Sequence, residues 1–163
     1  MVRIKKQSNG DVPSVSISGT ADEETQLSRD IPELPRLMLV NCRLIDRINS
    51  SRVRTWIRYF KELTGSGFEV RYQECPPAIV EQINNVSNFV SGGQVESISL
   101  PYSCGNCRTQ LARLTPVEPL ADISQLVPEM PCPKCDGKAV FDEIEAEHFA
   151  FLHRKNQDKR SAT

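Results

Sequence analysis

The chain has 163 residues, 39% hydrophobic and 25% charged, with a formal net charge of -1. That length holds one ordinary domain, or a small domain with an added module, and the near-neutral balance gives no bulk attraction to nucleic acid or an anionic membrane. No apolar run approaches the roughly 20 residues that span a bilayer, and MVRIKKQSNGD at the N-terminus lacks the apolar core of a secretory signal, so a cytoplasmic protein is expected.

In chain order, VRIKK (2–6) and VSISG (15–19) read as the strands of a hairpin turned at SNGD, the second alternating polar and apolar residues. The acidic TADEETQLSRDIPELP reads as a loop with one helical turn. LMLVNCRLI (37–45) is apolar with little alternation, the pattern of a central strand covered on both faces. A helix over about Ser51 to Thr64 follows, with Val53, Trp56, Ile57, Phe60 and Leu63 on one face. Asn49 or Ser50 would cap its start, and TGSG ends it. FEVRYQE (68–74) alternates as a strand. PPAIVEQINNV (76–86) is a helix with proline early, where a missing donor costs little, and Ile79, Val80, Ile83 and Val86 form its buried face. VESISLPY (95–102) is the next strand. After a stretch of knuckles and prolines, EIEAEHFAFLHRK (143–155) is a helix with Ile144, Phe149 and Leu152 inward. The polar end, 156–163, is expected to fray.

Four of the six cysteines form two close pairs: Cys104 and Cys107 in YSCGNCR, and Cys132 and Cys135 in PCPKCDG. Thiolates at this spacing let one tight turn aim both sulfurs at a single point, and two such knuckles complete a tetrahedral four-sulfur site suited to Zn²⁺. Iron held by four cysteines has the same spacing. With four protein ligands no position is left for substrate or water, so the metal is expected to be structural. Cys42 reads as a buried small hydrophobe. Cys75, before two prolines, is a candidate for exposure without the marks of a reactive thiol. His148 and His153 read as ordinary helix residues.

The order of elements, with SISGTADEETQL ending the hairpin strand and INSSRVRTW opening the helix, resembles the STAS domain of bacterial anti-sigma-factor antagonists. The resemblance covers about residues 1–101, and 102–143 then reads as a zinc ribbon inserted before a C-terminal helix, 144–155, that packs on the core. It implies an α/β fold: a STAS-like mixed sheet with packed helices, plus the small ribbon. In the family, a strand ending in Gly leads to an acidic segment, here Gly19 and Asp22, and an Asp-Ser-Ser-Gly motif caps a helix, here Asn49, Ser50, Ser51 and Arg52. The resemblance implies docking of a partner kinase on this loop and helix, and a phosphorylation switch at Ser50. A phosphate there would meet free N–H groups and a favourable dipole, with Arg52 or Arg54 able to pair with it. The chain departs from the motif at two positions: Asn49 removes a charge and Arg52 adds bulk.

Arg43, Arg47, Arg52, Arg54, Arg58 and Lys61 cluster around this helix, and Arg54 and Arg58 lie one turn apart on one face. They form either a solvated face or a docking surface. No Ser-His-Asp order, phosphate-binding glycine loop, open metal site or carboxylate pair marks an enzyme. The expected function is a non-catalytic interaction module in bacterial signalling. Its partner would be a protein (a kinase, an anti-sigma factor or another regulator), met through Asn49, Ser50, Ser51, Arg52, Arg54 and Arg58. The alternative is a nucleic-acid-binding regulator using the ribbon and the basic helix. Against it, the ribbon carries Glu118, Asp122, Glu129 and Asp136 and few aromatic residues for base stacking.

Overall fold

Alternating burial along Leu37–Leu44 (β3) sets the architecture. Met38, Val40 and Cys42 are buried, whereas Leu37, Leu39 and Asn41 are only half-buried. The computed structural model describes residues 3–8, 13–18, 37–118 and 129–154, the first two segments through their strand pairing. Arg3–Ser8 (β1) pairs antiparallel with Pro13–Ser18 (β2), and β2, β3, Glu69–Gln73 (β4) and Gln94–Val95 (β5) follow in parallel, in spatial order β1-β2-β3-β4-β5. The expectation of a β3 buried on both faces is therefore corrected. Register places Arg71 beside Leu39 and Gln73 beside Asn41. These polar residues form a hydrogen-bonded ladder in which Arg71 reaches Glu69 (2.7 Å) and Glu96 (3.0 Å), Gln73 reaches Glu96 (2.6 Å), and Asn41 reaches Glu74 (2.7 Å). The segment 19–36, with Gly19 and Asp22, lies outside the described residues, as does the tail 156–163.

The helix Ser50–Gly65 (α1) buries Val53, Trp56, Tyr59 and Phe60. Ile57 and Leu63 are half-buried, and Tyr59 joins the core although the expected stripe omitted it. Trp56 packs on Phe60 (4.7 Å between ring centroids), on Phe89 (5.3 Å) and on Tyr72 of β4 (5.7 Å). Offset and tilted ring pairs of this kind add to the area they bury. The Tyr72 hydroxyl donates to Val90 O (3.2 Å). A Cβ at Gly93 would stand 2.7 Å from the Tyr72 ring, so this turn accepts only glycine. Pro77–Asn85 (α2) buries Ile79 and Val80, with Ile83 and Val86 half-buried.

The strand expected over 95–102 forms as two pieces. Gln94–Val95 closes the first sheet, and Ser97–Cys104 (β6) belongs to a second one of order β7-β6-β9-β8, with β7 at Gln110–Pro116, β8 at Glu129–Pro131 and β9 at Lys138–Phe141. A boundary at 101/102 thus falls inside β6. The sheets meet at Cys75, whose N–H donates to Ser97 O (3.0 Å) and whose carbonyl accepts from Ser99 N (2.8 Å). That bridge buries Cys75 completely, against the expectation of exposure. Cys42 is also fully buried, as expected, and the Cys75 side chain beside it raises its thiol pKa. Buried residues of both sheets form one continuous apolar cluster, from Met38 and Phe60 through Ile98 and Tyr102 to Phe149.

The C-terminal helix is broken. Glu145–His148 (α3) stops at Phe149, and residues 150–154 are again helical. Phe149 and Leu152 are buried, but Ile144 is 62% exposed, so its expected inward packing is corrected. As the residue before α3 it precedes the turn that faces the core. Asn84 of α2 fills the break: its amide donates to Glu147 O (2.8 Å) and His148 O (3.0 Å), and its Oδ1 accepts from Phe151 N (2.9 Å). Arg154 donates back to Ile83 O and Asn84 O, each at 3.0 Å, satisfying orphan carbonyls at the end of α2. No helix among the described residues is long and apolar enough to cross a membrane.

His148 packs edge-on against Phe141 (5.4 Å) and Phe149 (5.1 Å), and its buried Nε2 has no hydrogen-bond partner among the described residues. Burial disfavours the imidazolium and lowers its pKa from 6.5 to about 4. The folded state therefore binds fewer protons than the unfolded state between these values, and stability is lost as pH falls through that window. In denaturant titrations, the wild type should lose about 1 kcal/mol more than His148→Phe between about pH 7 and about pH 5.5. Equal losses in the two proteins would show that His148 titrates normally.

Candidate functional site

The two cysteine knuckles are local repeats of one turn. In the first, Cys104 N donates to Thr109 O (3.0 Å); in the second, Cys132 N donates to Gly137 O (2.7 Å). Each holds a positive φ after its second cysteine, at Arg108 (57°) and Asp136 (53°). This left-handed residue turns the chain out of each knuckle just before the strand that follows, β7 or β9. The sheet then brings the knuckles together: β6 ends at Cys104, which registers with Ala139 at the start of β9, while β8 leads into Cys132.

Cys104 Sγ lies 3.5 Å from Cys135 Sγ, and Cys107 Sγ lies 3.6 Å from Cys132 Sγ. All four ligand atoms fall within 4.8 Å of one another, and all four cysteines are free of disulfides. Sulfurs about 2.3 Å from a central ion form a tetrahedron with edges of about 3.8 Å, so this set fits a four-thiolate metal centre. Cys104 and Cys132 are buried, Cys135 is half-buried and Cys107 is exposed. The Thr109 hydroxyl, 3.2 Å from Cys107 Sγ, and the Thr109 N–H stabilise the thiolate and bring its pKa down to about 6. Cys104 is lowered chiefly by the N–H of Cys107. At Cys132 the Lys134 N–H pulls downward, but desolvation and the neighbouring thiols push the value up to about 11. Gly137 closes over the cluster: a Cβ there would lie 3.1 Å from Asn106 Cβ and 3.2 Å from Cys135 Sγ. The intervening segment 119–128 lies outside the described residues.

The expected docking residues gather at the start of α1. Asn49, and not Ser50, is the N-cap, and its Oδ1 accepts from Arg52 N (3.0 Å) and Ser51 Oγ (3.0 Å). Ser50 is the first helical residue, is exposed, and enters neither bond. Arg54 and Arg58 are exposed on the same helix, and Arg52 is half-buried. The cysteine cluster and this loop are separate features of the fold. Sequence reasoning missed Asn84, whose role depends on a helix break more than sixty residues away. It also missed the burial of His148, whose Nε2 has no hydrogen-bond partner among the described residues, which no local pattern reveals. Comparison with protein-family models, curated proteins and solved structures yields no match to this chain.

Proposed function

We propose that the chain is a non-catalytic protein-interaction module of the STAS type, in which a structural zinc ion ties down the ribbon and the start of α1 meets the partner. The observation that carries this reading is the pairing of an exposed Asn49-Ser50-Ser51 cap with the exposed Arg54 and Arg58 face. Because Asn49 already caps the helix, Ser50 is left available for modification, and a phosphate on it would sit at the positive end of the helix dipole. The order found through α2, a hairpin, a strand, a helix, a strand and a helix, supports the STAS assignment. The cysteine set suits zinc, and its four ligands close the coordination shell, which supports a structural role. When bound, the ion cross-links β6 to the turn between β8 and β9.

Capture by the tagged full chain from its native cells, with and without nuclease, tests this reading. A protein partner should survive nuclease, and Arg54→Glu with Arg58→Glu should weaken its binding about tenfold or more, or about 1.4 kcal/mol, with metal content unchanged. Recovery that depends on nucleic acid would favour the ribbon as a nucleic-acid reader. Binding indifferent to the two arginines would move the docking surface elsewhere.

A further inference from the structure

A cleft of about 880 Å³ opens between the loop that enters α1, the length of α2, and α3. Four exposed carboxylates line it, Asp46, Glu81, Glu143 and Glu147, against the single cation Arg47. None of the four takes part in an ion pair among the described residues; the bridges there use Glu69, Glu74, Glu96 and Glu129. The lining also includes the half-buried Ile48, Pro77, Ala78 and Ala150. The cleft thus joins apolar surface to a negative excess that no ion pair among the described residues neutralises.

We infer that this cleft is a docking groove for a lysine- and arginine-rich amphipathic segment of a partner protein. The inference rests on the interaction-module reading and adds the chemistry of the partner. Cationic side chains would neutralise the carboxylates, while apolar residues of the segment would cover Ile48 and the alanines. Complementary charge of this kind steers encounter and fixes register, and an amphipathic helix laid in a groove is a recurring mode of recognition. The groove lies beside the loop Asp46 to Asn49, and the Arg54/Arg58 face lies on the helix that this loop enters. A partner carrying a basic segment beside an acidic one would be read in a single orientation.

The test is fluorescence anisotropy of the full chain with a fluorescein-labelled amphipathic peptide of Lys, Arg and Leu. Glu81→Lys with Glu147→Lys should weaken binding about tenfold or more. Glu62→Lys with Glu118→Lys, which changes net charge equally outside the cleft, should leave it unchanged. Amide shifts in the wild type on adding the peptide should centre on Ile48, Glu81, Ala146 and Glu147, a readout that does not depend on how well a variant folds. Equal weakening by both variant pairs, no weakening by the cleft pair, or shifts centred elsewhere would overturn the assignment. Its failure is distinct from failure of the interaction-module reading, because partner capture there is tested through Arg54 and Arg58. A partner lost on reversing those arginines but kept on reversing Glu81 and Glu147 would refute the groove alone.

Discussion

Cys135→Ser is expected to cost the protein its metal and, with it, the β8–β9 hairpin of the second sheet. Those strands are short, with β8 three residues long and β9 four. Of their residues only Ala139 is buried. Such a unit has little core of its own, and an apparent contribution of about 10–16 kcal/mol from a four-ligand zinc site exceeds anything its packing supplies. The loss should be graded along the chain. The first half of β6 is pinned to Cys75, two residues past the end of β4, so Ile98 and Leu100 should stay buried. Amide exchange should therefore accelerate in β8, β9 and both knuckles while α1, β3 and β4 stay protected. Full metal content in the purified variant would refute the four-cysteine ligand set.

The second large effect is expected at Asn84. Truncation to Ala leaves Glu147 O, His148 O and Phe151 N without the partner that bridges the helix break. Part-buried groups left unpaired cost about 1–3 kcal/mol each, and water can reach some of these, so a net loss of about 2–3 kcal/mol is expected. Chemical denaturation of metal-loaded wild type and Asn84→Ala measures it. The Arg154 contacts to the same turn should loosen as well, so proteolysis should release the C-terminal segment first. A loss below about 0.5 kcal/mol would mean that the break holds itself together through the burial of Phe149, Phe151 and Leu152.

Much of this was legible in the sequence because its signals are local. A Cys-x-x-Cys knuckle folds on itself, and two of them have few ways to meet other than around one ion. The apolar spacing of Val53, Trp56 and Phe60 selects the buried face of α1 regardless of what covers it. What stayed hidden depends on register between distant strands. Arg71 and Gln73 make one face of β3 polar only because β4 lies beside it in that register. Likewise, β6 looked like a strand of the first sheet because periodicity reports alternation and not the neighbour. Cys75 appeared open because its parallel bridge to Ile98 has no counterpart in the sequence. At the start of α1, Asn49 and Ser50 are both good caps by type, and only the backbone decides between them. The acidic cleft draws its carboxylates from three separate segments, so no window of sequence displays it.

X-ray absorption at the zinc edge of the purified full chain decides whether the four cysteines close the metal site. A first coordination sphere of four sulfurs at about 2.3 Å with no nitrogen or oxygen ligand is expected, as a closed structural site requires. A sphere with fewer sulfurs and a light-atom ligand would mean an open metal position. That result would contradict the reading of the chain as a non-catalytic module.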